Sequence, residues 1–437
     1  MSSLLNGVRV PHRKHTADKA AVRFTDVKTV TIPMQMHIGA PATPIVAVGD
    51  TVKVGTLIAE AAGRVSAPIH SSVSGKVTKI TNILTSNGTY VPAIVIESDG
   101  EMACEELSAP TVESRDDLIE AIKNSGAVGL GGAGFPTHVK FNVEPSSFDE
   151  LIVNGAECEP YITSDSLTMT ERADDIKTAL IAIKKFLNMQ RIIIGIENNK
   201  KNAIDSMQNM CSEIDGAEVR VLPSIYPQGG EKVLIYHTTG KKVPTGKLPL
   251  DVRCVVVNCT TLAVIGNYLK TGMPLVEKCV TVDGGAIKEP QNVIVPIGTM
   301  IEDLINFTGG FSSDPEEILY GGPMMGYDVP SLDFPILKNT NAILALTHKE
   351  AKLPKTTACI RCGACTNVCP FGLAPAEILL AYKKKDAELL EKLSINTCME
   401  CGCCSFTCPA NRPLAQTNKL SKIFLREYKA KEALKNG

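Results

Sequence analysis

The chain has no tryptophan, and aromatic residues make up only 5% of its 437 residues. Its net charge is -2, so the composition gives no support for a nucleic-acid partner. No window approaches the roughly 18 to 20 apolar residues that a membrane-crossing helix needs. Residues 1–15 are polar and basic and contain no apolar stretch of the kind found in signal peptides. These absences predict a soluble or peripheral protein, and the length predicts about three domains.

Cysteine, by contrast, is plentiful, and eight of the fifteen cysteines form two repeats near the C-terminus. Each repeat has the spacing C-x2-C-x2-C-x3-C-P, which is typical of the cysteines that hold [4Fe–4S] clusters in bacterial ferredoxins. A structural zinc site is the alternative, but zinc favours pairs of C-x2-C instead. The repeats are Cys359, Cys362, Cys365 and Cys369, and Cys398, Cys401, Cys404 and Cys408.

The fourth cysteine of such a repeat usually binds the cluster of the other repeat. The spacing therefore predicts one cluster on the first three cysteines of repeat one together with Cys408. A second cluster is predicted on the first three cysteines of repeat two together with Cys369. Cys403 breaks the spacing and is interpreted as a spare thiol near a cluster. Cluster thiolates indicate a reducing compartment, so disulfides between the other cysteines are not expected.

The first hundred residues are rich in strand signals. Apolar and polar residues alternate around a Gly-Asp turn at residues 45–55, and a second set follows at residues 65–77. This frame resembles the barrel-sandwich fold of lipoyl and biotinyl carrier domains. Those carriers need a lysine at a hairpin tip, whereas residues 60–64 of this chain contain none. We therefore expect a scaffolding or docking domain.

The next segment alternates helices with short β-branched strands. Buried strands are predicted at residues 151–154, 191–196, 218–222 and 254–258, with a helix at residues 118–122. This pattern indicates a mostly parallel sheet covered on both faces, in a Rossmann-like α/β domain. Ligands of such sheets bind beyond the carboxyl ends of the strands.

A glycine-rich loop at residues 129–137 precedes the first of these strands. Glycines let backbone N–H groups approach an anion closely, although many such loops are only turns. At the end of the first strand stands Asn154-Gly155-Ala156-Glu157-Cys158-Glu159-Pro160. Its two glutamates could lie in a solvated loop or face a ligand.

These motifs, with residues 226–232 and 258–263, resemble in the same order the flavin subunit of respiratory complex I. With the barrel-sandwich segment before them and the cysteine repeats behind, the whole chain resembles the RnfC family of the Rnf ion-translocating electron transport complex. The resemblance implies binding of FMN and NAD(H). Taken singly, Phe135, Tyr226 and Asn258 would be interpreted as packing or capping residues, and their order along the chain gives them weight.

The resemblance also implies individual roles. Phe135 would stack near the nicotinamide, Glu159 would contact NADH, and Glu231 would form a second wall of the site. The implied FMN-binding residues are Gly131, Gly132, Ala133, Gly134, Lys140, Asn154, Tyr226, Gly229, Asn258 and Thr261.

Three positions depart from the complex I pattern. Ala156 stands where that family has an aspartate, and Gly230 stands where it has the first of two glutamates. Val143 occupies a place where the family stacks a second aromatic ring on the nucleotide. The pattern thus favours FMN binding over NADH binding.

Two further modules complete the chain. Residues 279–305 and 320–326 resemble the soluble-ligand-binding β-grasp (SLBB) module that follows the flavin domain in complex I. The segment between the cysteine repeats has helical spacing, and a basic amphipathic helix follows from residue 414. The predicted α/β multidomain chain thus comprises a barrel sandwich (1–105), an FMN/NADH domain (106–268), an SLBB module (269–335) and a helical two-cluster ferredoxin domain (336–437).

These expectations combine into a function. The resemblance implies a peripheral subunit on the cytoplasmic side of the cell membrane that passes electrons between NAD(H), FMN and two [4Fe–4S] clusters. Its partners would be membrane and iron–sulfur subunits of an Rnf-type complex and, indirectly, ferredoxin. Two alternatives stay open: a soluble flavin and iron–sulfur reductase linked to NAD(P)H, and a cluster relay without nucleotide binding.

Overall fold

The N-terminal strands form two facing sheets, as the alternation of apolar residues predicts. The computed structural model describes residues 4–86 and 88–436. One antiparallel sheet has the order β2-β8-β7-β4 and the other the order β3-β5-β6. Ile32, Ile58 and Ile94 are fully buried between them. The bounds are β1 (Val22–Arg23), β2 (Thr29–Pro33), β3 (Thr43–Pro44), β4 (Thr51–Val52), β5 (Leu57–Glu60), β6 (Ile69–His70), β7 (Gly75–Leu84) and β8 (Tyr90–Ser98).

The central α/β domain contains a parallel sheet with the order β11-β10-β9-β12. Its apolar strands are buried because helices cover both faces, as predicted. The strands are β9 (Glu150–Gly155), β10 (Arg191–Glu197), β11 (Ala217–Leu222) and β12 (Cys254–Asn258). The helices are α1 (Arg115–Asn124), α2 (Thr137–Phe141), α3 (Ser164–Glu171), α4 (Ala173–Leu187), α5 (Lys201–Cys211), α6 (Glu231–Thr239) and α7 (Cys259–Thr271), with 3-10 turns at Pro145–Ser147 and Pro249–Val252.

Strand order reverses between β9 and β12. The chain leaves β9 to build β10 and β11 on one side and returns to place β12 on the other. Asn154 and Asn258 face each other in the register of this pair, at the carboxyl ends of the strands. A reversal of this kind opens a crevice between the two outgoing connections, where ligands of open α/β sheets bind.

A mixed sheet with the order β1-β14-β13-β17-β15-β16 follows. It takes β1 from the N-terminal segment and β17 from beyond residue 335, so it extends outside the range predicted for the β-grasp module; the domain bounds stay a prediction. The remaining elements here are β13 (Glu277–Asp283), β14 (Gln291–Pro296), α8 (Ile301–Phe307), β15 (Glu317–Tyr320), β16 (Tyr327–Asp328), β17 (Ala342–Leu346) and α9 (His348–Ala351).

The C-terminal domain is helical, as its apolar spacing predicts. Ile378, Leu390 and Leu425 form its core with Ile395. Its elements are α10 (Ala364–Asn367), α11 (Pro375–Lys383), α12 (Ala387–Lys392), a 3-10 turn at Ile395–Thr397, α13 (Cys403–Phe406) and α14 (Leu414–Asn436). Within residues 4–86 and 88–436, no helix has the length and apolar character required to span a bilayer.

Helix α7, which begins at the switch point, packs closely against α4. A Cβ placed on Gly266 would lie 1.8 Å from the carbonyl oxygen of Asp175, so the two helices can approach this closely only at a glycine. Gly266→Ala should push α7 away and destabilise the protein by about 2 kcal/mol or more. Thermal unfolding of the cofactor-loaded protein measures this effect. Ile181→Ala, at an exposed position of α4, is the control and should change stability by about 0.5 kcal/mol at most.

Candidate functional site

The glycine-rich loop closes on itself at the switch point. Gly129 N–H donates to the Phe135 carbonyl at 2.9 Å, and Val128 pairs with Pro136 at the base. Gly134 has a φ of +71°, which favours glycine. The barrel sandwich holds this end of the loop from outside, because Ile38 N–H donates to the Gly134 carbonyl at 3.1 Å.

Gly131 and Gly132 have different surroundings. A Cβ on Gly131 would lie 2.4 Å from Asn258 Nδ2, so the fold itself requires glycine there. A Cβ on Gly132 would meet no atom of the described residues within 4 Å, although Asn339 Nδ2 donates to the Gly132 carbonyl at 3.0 Å. Gly132 therefore leaves an open stretch of backbone that a ligand can approach closely.

The start of α7 fixes the loop. Asn258 caps the helix, and its Oδ1 accepts from Thr260 N–H at 2.9 Å and Thr261 N–H at 3.3 Å. Thr261 Oγ1 accepts from Leu130 N–H at 3.1 Å and donates to the Val128 carbonyl at 3.0 Å. Since Thr261 is fully buried, it ties the helix to the loop. Asn258 Nδ2 donates to Asp165 Oδ2 at 2.7 Å.

Two polar residues link neighbouring segments around the loop. Asn154 Nδ2 donates to the Gly229 carbonyl at 2.9 Å, which joins the end of β9 to the turn before α6. Lys140 Nζ donates to the Val256 carbonyl at 2.9 Å and lies 3.8 Å from Glu231 Oε1. The structure thus brings the predicted residues from α2, β9, α6 and α7 to one edge of the sheet.

The carboxyl group of Glu159 is covered and does not lie on the open face of the crevice. Its Oε2 accepts from Met324 N–H at 3.0 Å, and a Cβ on Gly322 would lie 2.2 Å from this oxygen. Its Oε1 is buried and has no hydrogen-bond partner among the described residues. The loop after β15 therefore covers the carboxyl group that the resemblance assigns to NADH.

Tyr226 is only 2% exposed and does not face the open loop. It packs with Val8, Val10, Cys401 and Cys403, and thus joins the α/β domain to the second cysteine repeat. The second cysteine repeat approaches the α/β domain here: Cys403 Sγ lies 3.8 Å from the Tyr226 carbonyl oxygen.

The three departures from the complex I pattern lie in different surroundings. A Cβ on Gly230 would lie 2.3 Å from Met399 Cε, so Met399 occupies the space that a side chain at position 230 needs. Ala156 is fully buried, and its Cβ lies 3.7 Å from the Cβ position of Gly229. Val143 packs against the main hydrophobic core. The sequence analysis did not identify Met399, since a methionine between two cysteines carries no signal for this contact.

The two cysteine repeats follow the same backbone course. Arg361 and Glu400, each two residues after the first cysteine, have φ of +56° and +61°. Their N–H groups both donate to that first cysteine's sulfur at 3.4 Å. Gly363 and Gly402 then start the short helices α10 and α13 with φ of +75° and +81°. Such coils present successive sulfurs to one cluster.

The cysteines group across the repeats. Cys369 lines one cavity with Cys398, Cys401 and Cys404, and Cys403 lines it as well. Cys365 and Cys408 pack against a shared apolar cluster formed by Leu379, Cys404 and Leu414. Cys359 and Cys362 are exposed. Among the described residues, no three Cys, His, Asp or Glu side chains are arranged around one metal ion. The shared cavity is the observation that groups the sulfurs.

The cysteines that line the shared cavity are suited to a metal centre. A hydrogen bond from the Cys403 side chain lowers the pKa of Cys401 to about 7, whereas burial raises the pKa of Cys404 to about 12. Buried thiols of this kind ionise when a metal binds them. Asn418 Nδ2 also donates to Cys398 Sγ at 3.5 Å, as outer partners of cluster sulfurs do.

A ligand crevice at a switch point, joined to two ferredoxin-like cysteine repeats, defines a class of electron-transfer proteins. The chain matches the family models of the RnfC barrel sandwich hybrid domain (residues 2–101), the Nuo51 FMN-binding domain (122–267), the SLBB domain (279–328) and the 4Fe-4S dicluster domain (355–412). These matches confirm the predicted fold class and the prediction of FMN and two [4Fe–4S] clusters as cofactors.

Full-length relatives place the chain more closely. It is 42% identical over 380 residues to the RnfC subunit of the proton-translocating ferredoxin:NAD(+) oxidoreductase complex of Clostridium ljungdahlii, covering 85% of this chain and 82% of the relative. It is 42% identical to the Na(+)-translocating counterpart of Acetobacterium woodii, covering 85% of each. It is 38% identical to the RnfC subunit of the ion-translocating oxidoreductase complex of Rhodobacter capsulatus, covering 98% and 84%. The chain belongs to the RnfC family, an oxidoreductase family, as the motifs predicted.

A solved structure shares the fold. The NAD+-reducing [NiFe]-hydrogenase in its H2-reduced state matches with a TM-score of 0.50 and 16% identity, covering 72% of this chain and 62% of that one.

Glu159 should make stability depend on pH. Burial raises its pKa from 4.5 to about 7, so the folded state keeps a proton that the unfolded state loses at lower pH. This contribution is fully present below about 4.5 and is lost as the pH rises through about 7. Glu159→Gln cannot ionise, so its unfolding temperature should rise relative to the parent by about 2 °C or more between pH 5 and pH 8. Unfolding scans at both pH values measure this, and a constant difference would contradict the buried, protonated carboxyl.

Proposed function

We propose that this chain is the peripheral subunit of an ion-translocating ferredoxin:NAD+ oxidoreductase complex that passes electrons between NAD(H), FMN and two [4Fe–4S] clusters. The observation that carries this proposal is the contact of Met399 with Gly230. It joins the cavity of the second cysteine repeat to the wall of the glycine-loop crevice. A flavin crevice and a cluster cavity in contact are what electron transfer between them requires.

The residues around the crevice fit an FMN group. The open backbone at Gly132 would lie against it, and Lys140 would supply a cation at the crevice edge. Asn154 and Gly229 would form the opposite wall, which their hydrogen bond holds. Thr261 would act through the loop that it fixes, because its hydroxyl is already engaged there. FMN, when bound, exchanges hydride with a nicotinamide and single electrons with clusters.

The nicotinamide side would be formed by Phe135, Glu159 and Glu231. Phe135 is half-buried where the glycine loop closes, and Glu231 is exposed beside Lys140. Glu159 would contact the nucleotide once the loop that carries Met324 moves off its carboxyl group, since Met324 N–H now occupies one oxygen.

The clusters would form a path away from the crevice. Cys398, Cys401, Cys404 and Cys369 would hold the cluster nearer to the flavin, because Met399 and Tyr226 contact both sides. Cys359, Cys362, Cys365 and Cys408 would hold the farther one. The exposure of Cys359 and Cys362 supports an exit at this end, toward another redox subunit.

The relatives' names support the wider assembly. Two of them are subunits of ferredoxin:NAD(+) oxidoreductase complexes, one proton-translocating and one Na(+)-translocating. By analogy, this chain would join membrane and iron–sulfur subunits of an Rnf-type complex on the cytoplasmic side of the membrane and exchange electrons with ferredoxin through them. Helix α14 and its lysines offer a basic surface to such partners.

A cluster relay without nucleotide binding is the second candidate. The covered carboxyl of Glu159 favours it, as does the replacement of an acidic residue by Gly230 under Met399. In that case the chain would carry electrons between partner subunits, and NADH would not reduce its flavin.

Rapid mixing with NADH separates the two candidates. If the proposal holds, NADH reduces the flavin and then bleaches the cluster absorbance in the anaerobic, cofactor-loaded protein. Glu159→Ala should slow flavin reduction by about tenfold, the effect of removing one carboxyl hydrogen-bond contact, and should leave reduction by dithionite unchanged. Reduction by NADH at the same rate in parent and variant would remove Glu159 from the site.

Gly132→Glu tests the assignment of the flavin site. A Cβ there meets no described protein atom within 4 Å, so the fold should tolerate the glutamate while its bulk and charge displace FMN. Both clusters should remain and should still accept electrons from dithionite. Full FMN occupancy in this variant would show that the glycine loop is not the flavin site.

The crossed ligand sets predict which cluster each cysteine holds. Cys369→Ser should remove the cluster of repeat two, and Cys408→Ser should remove that of repeat one, so each variant keeps roughly four of about eight irons. Iron analysis and electron paramagnetic resonance of the remaining cluster distinguish the two. Cys403→Ser is the matched control and should keep both clusters. The reverse pattern, with Cys369→Ser losing the cluster of its own repeat, would contradict crossing.

A further inference from the structure

The N-terminal arm, residues 4–20, runs across the α/β domain before the first strand begins. Val8 forms a pair of backbone hydrogen bonds with Tyr226, at 2.8 Å and 2.9 Å. Farther along, the His12 carbonyl accepts from Tyr161 N–H at 2.9 Å. The arm therefore lies against both the wall of the crevice and the loop that follows β9.

Lys14 makes the densest contact of this arm. Its ammonium group donates to three backbone carbonyls, those of Glu157 at 3.0 Å, Glu159 at 2.8 Å and Ile162 at 2.5 Å. An ammonium has three donors, so all of them are used on one loop. Hydrogen bonds from a charged donor are stronger than neutral ones. Lys14 thus gathers three carbonyls that would otherwise point their negative ends at one another.

The loop needs such support because its backbone is strained. Glu157 has a φ of +46° and Tyr161 a φ of +69°, values that side-chain-bearing residues adopt at a cost of about 1–3 kcal/mol each. Strain of this size persists only when surrounding contacts hold the backbone. The contacts of Lys14 span both strained residues.

The loop conformation also determines where two carboxyl groups point. The Glu157 side chain accepts from Asp165 N–H at 2.6 Å and Ser166 N–H at 3.3 Å, at the start of α3. The Glu159 side chain points the other way, toward Met324 N–H. A backbone rotation between these residues would exchange or displace the two carboxyl groups.

We propose that Lys14 is a positioning residue that holds the loop of residues 157–162 so that Glu159, and not Glu157, faces the nicotinamide side of the crevice. This inference rests on the proposed function for its consequence in NADH chemistry, and on the three carbonyl contacts alone for its effect on the loop.

Lys14→Met keeps an unbranched side chain only one atom shorter and removes the charge and the donors. In the cofactor-loaded protein, amide hydrogen exchange in peptides covering residues 157–163 should accelerate by about tenfold or more, the loss expected for a charged hydrogen bond. FMN and iron content should stay at parent levels. The apparent KM for NADH in flavin reduction should rise by about tenfold, while reduction by dithionite should not change.

Lys19→Met is the matched control. Lys19 lies on the same arm and donates to a single carbonyl, that of Pro290, at an exposed position outside the loop. This variant should match the parent in loop exchange and in NADH kinetics. Lys14→Gln keeps two amide donors without charge, so its loop exchange should fall between those of the parent and Lys14→Met. It also provides the test if Lys14→Met fails to fold.

The readouts separate the inference from the proposed function. Loop exchange equal to that of the parent in both Lys14 variants would overturn the positioning role, whatever the kinetics. Faster loop exchange with parent-like NADH kinetics would support the hold of Lys14 on the loop and would count against Glu159 as a nucleotide contact. Faster exchange together with a raised KM supports both.

Discussion

The contact between the second cysteine repeat and the wall of the crevice is the constraint on which the arrangement of this molecule depends. A two-electron site and a one-electron site can exchange electrons only when they are close, and here two side chains bring them into contact. Met399 lies over Gly230, and Cys403 lies against the backbone of Tyr226. The C-terminal domain is thereby seated on the α/β domain at the edge where the crevice opens.

This seat also explains how the crevice differs from that of complex I. Met399 fills the space that a side chain at position 230 would need, so the absence of an acidic residue there fits the approach of the cluster segment. Ala156 is fully buried beside Gly229, so an aspartate there would place a carboxyl group in a buried position. The departures at these two positions thus reflect contact with the cluster segment at Gly230 and burial at Ala156. They do not require that the FMN side of the site has changed.

Much of the fold could be predicted because it depends on local patterns. Continuous β-branched runs such as residues 255–257 identify buried parallel strands, and the cysteine spacing identifies the cluster-binding coils. The contacts that connect the domains could not be predicted, because they join residues that are far apart in the chain and belong to no regular sequence pattern. No motif surrounds Lys14. Nothing in the sequence distinguishes Met324 from other loop methionines, and only the structure shows its N–H donating to Glu159. Strand β1 was missed because two residues give no periodicity.

Glu159 is where these long-range contacts meet. The arm holds its backbone through Lys14, and the loop after β15 covers its carboxyl group through Met324 N–H. A carboxyl group held by a fixed backbone but covered by a loop with glycines at 321, 322 and 326 can be exposed without disturbing its own position. In the proposed function, nucleotide access would therefore depend on movement of this cover, while the backbone of Glu159 stays in place.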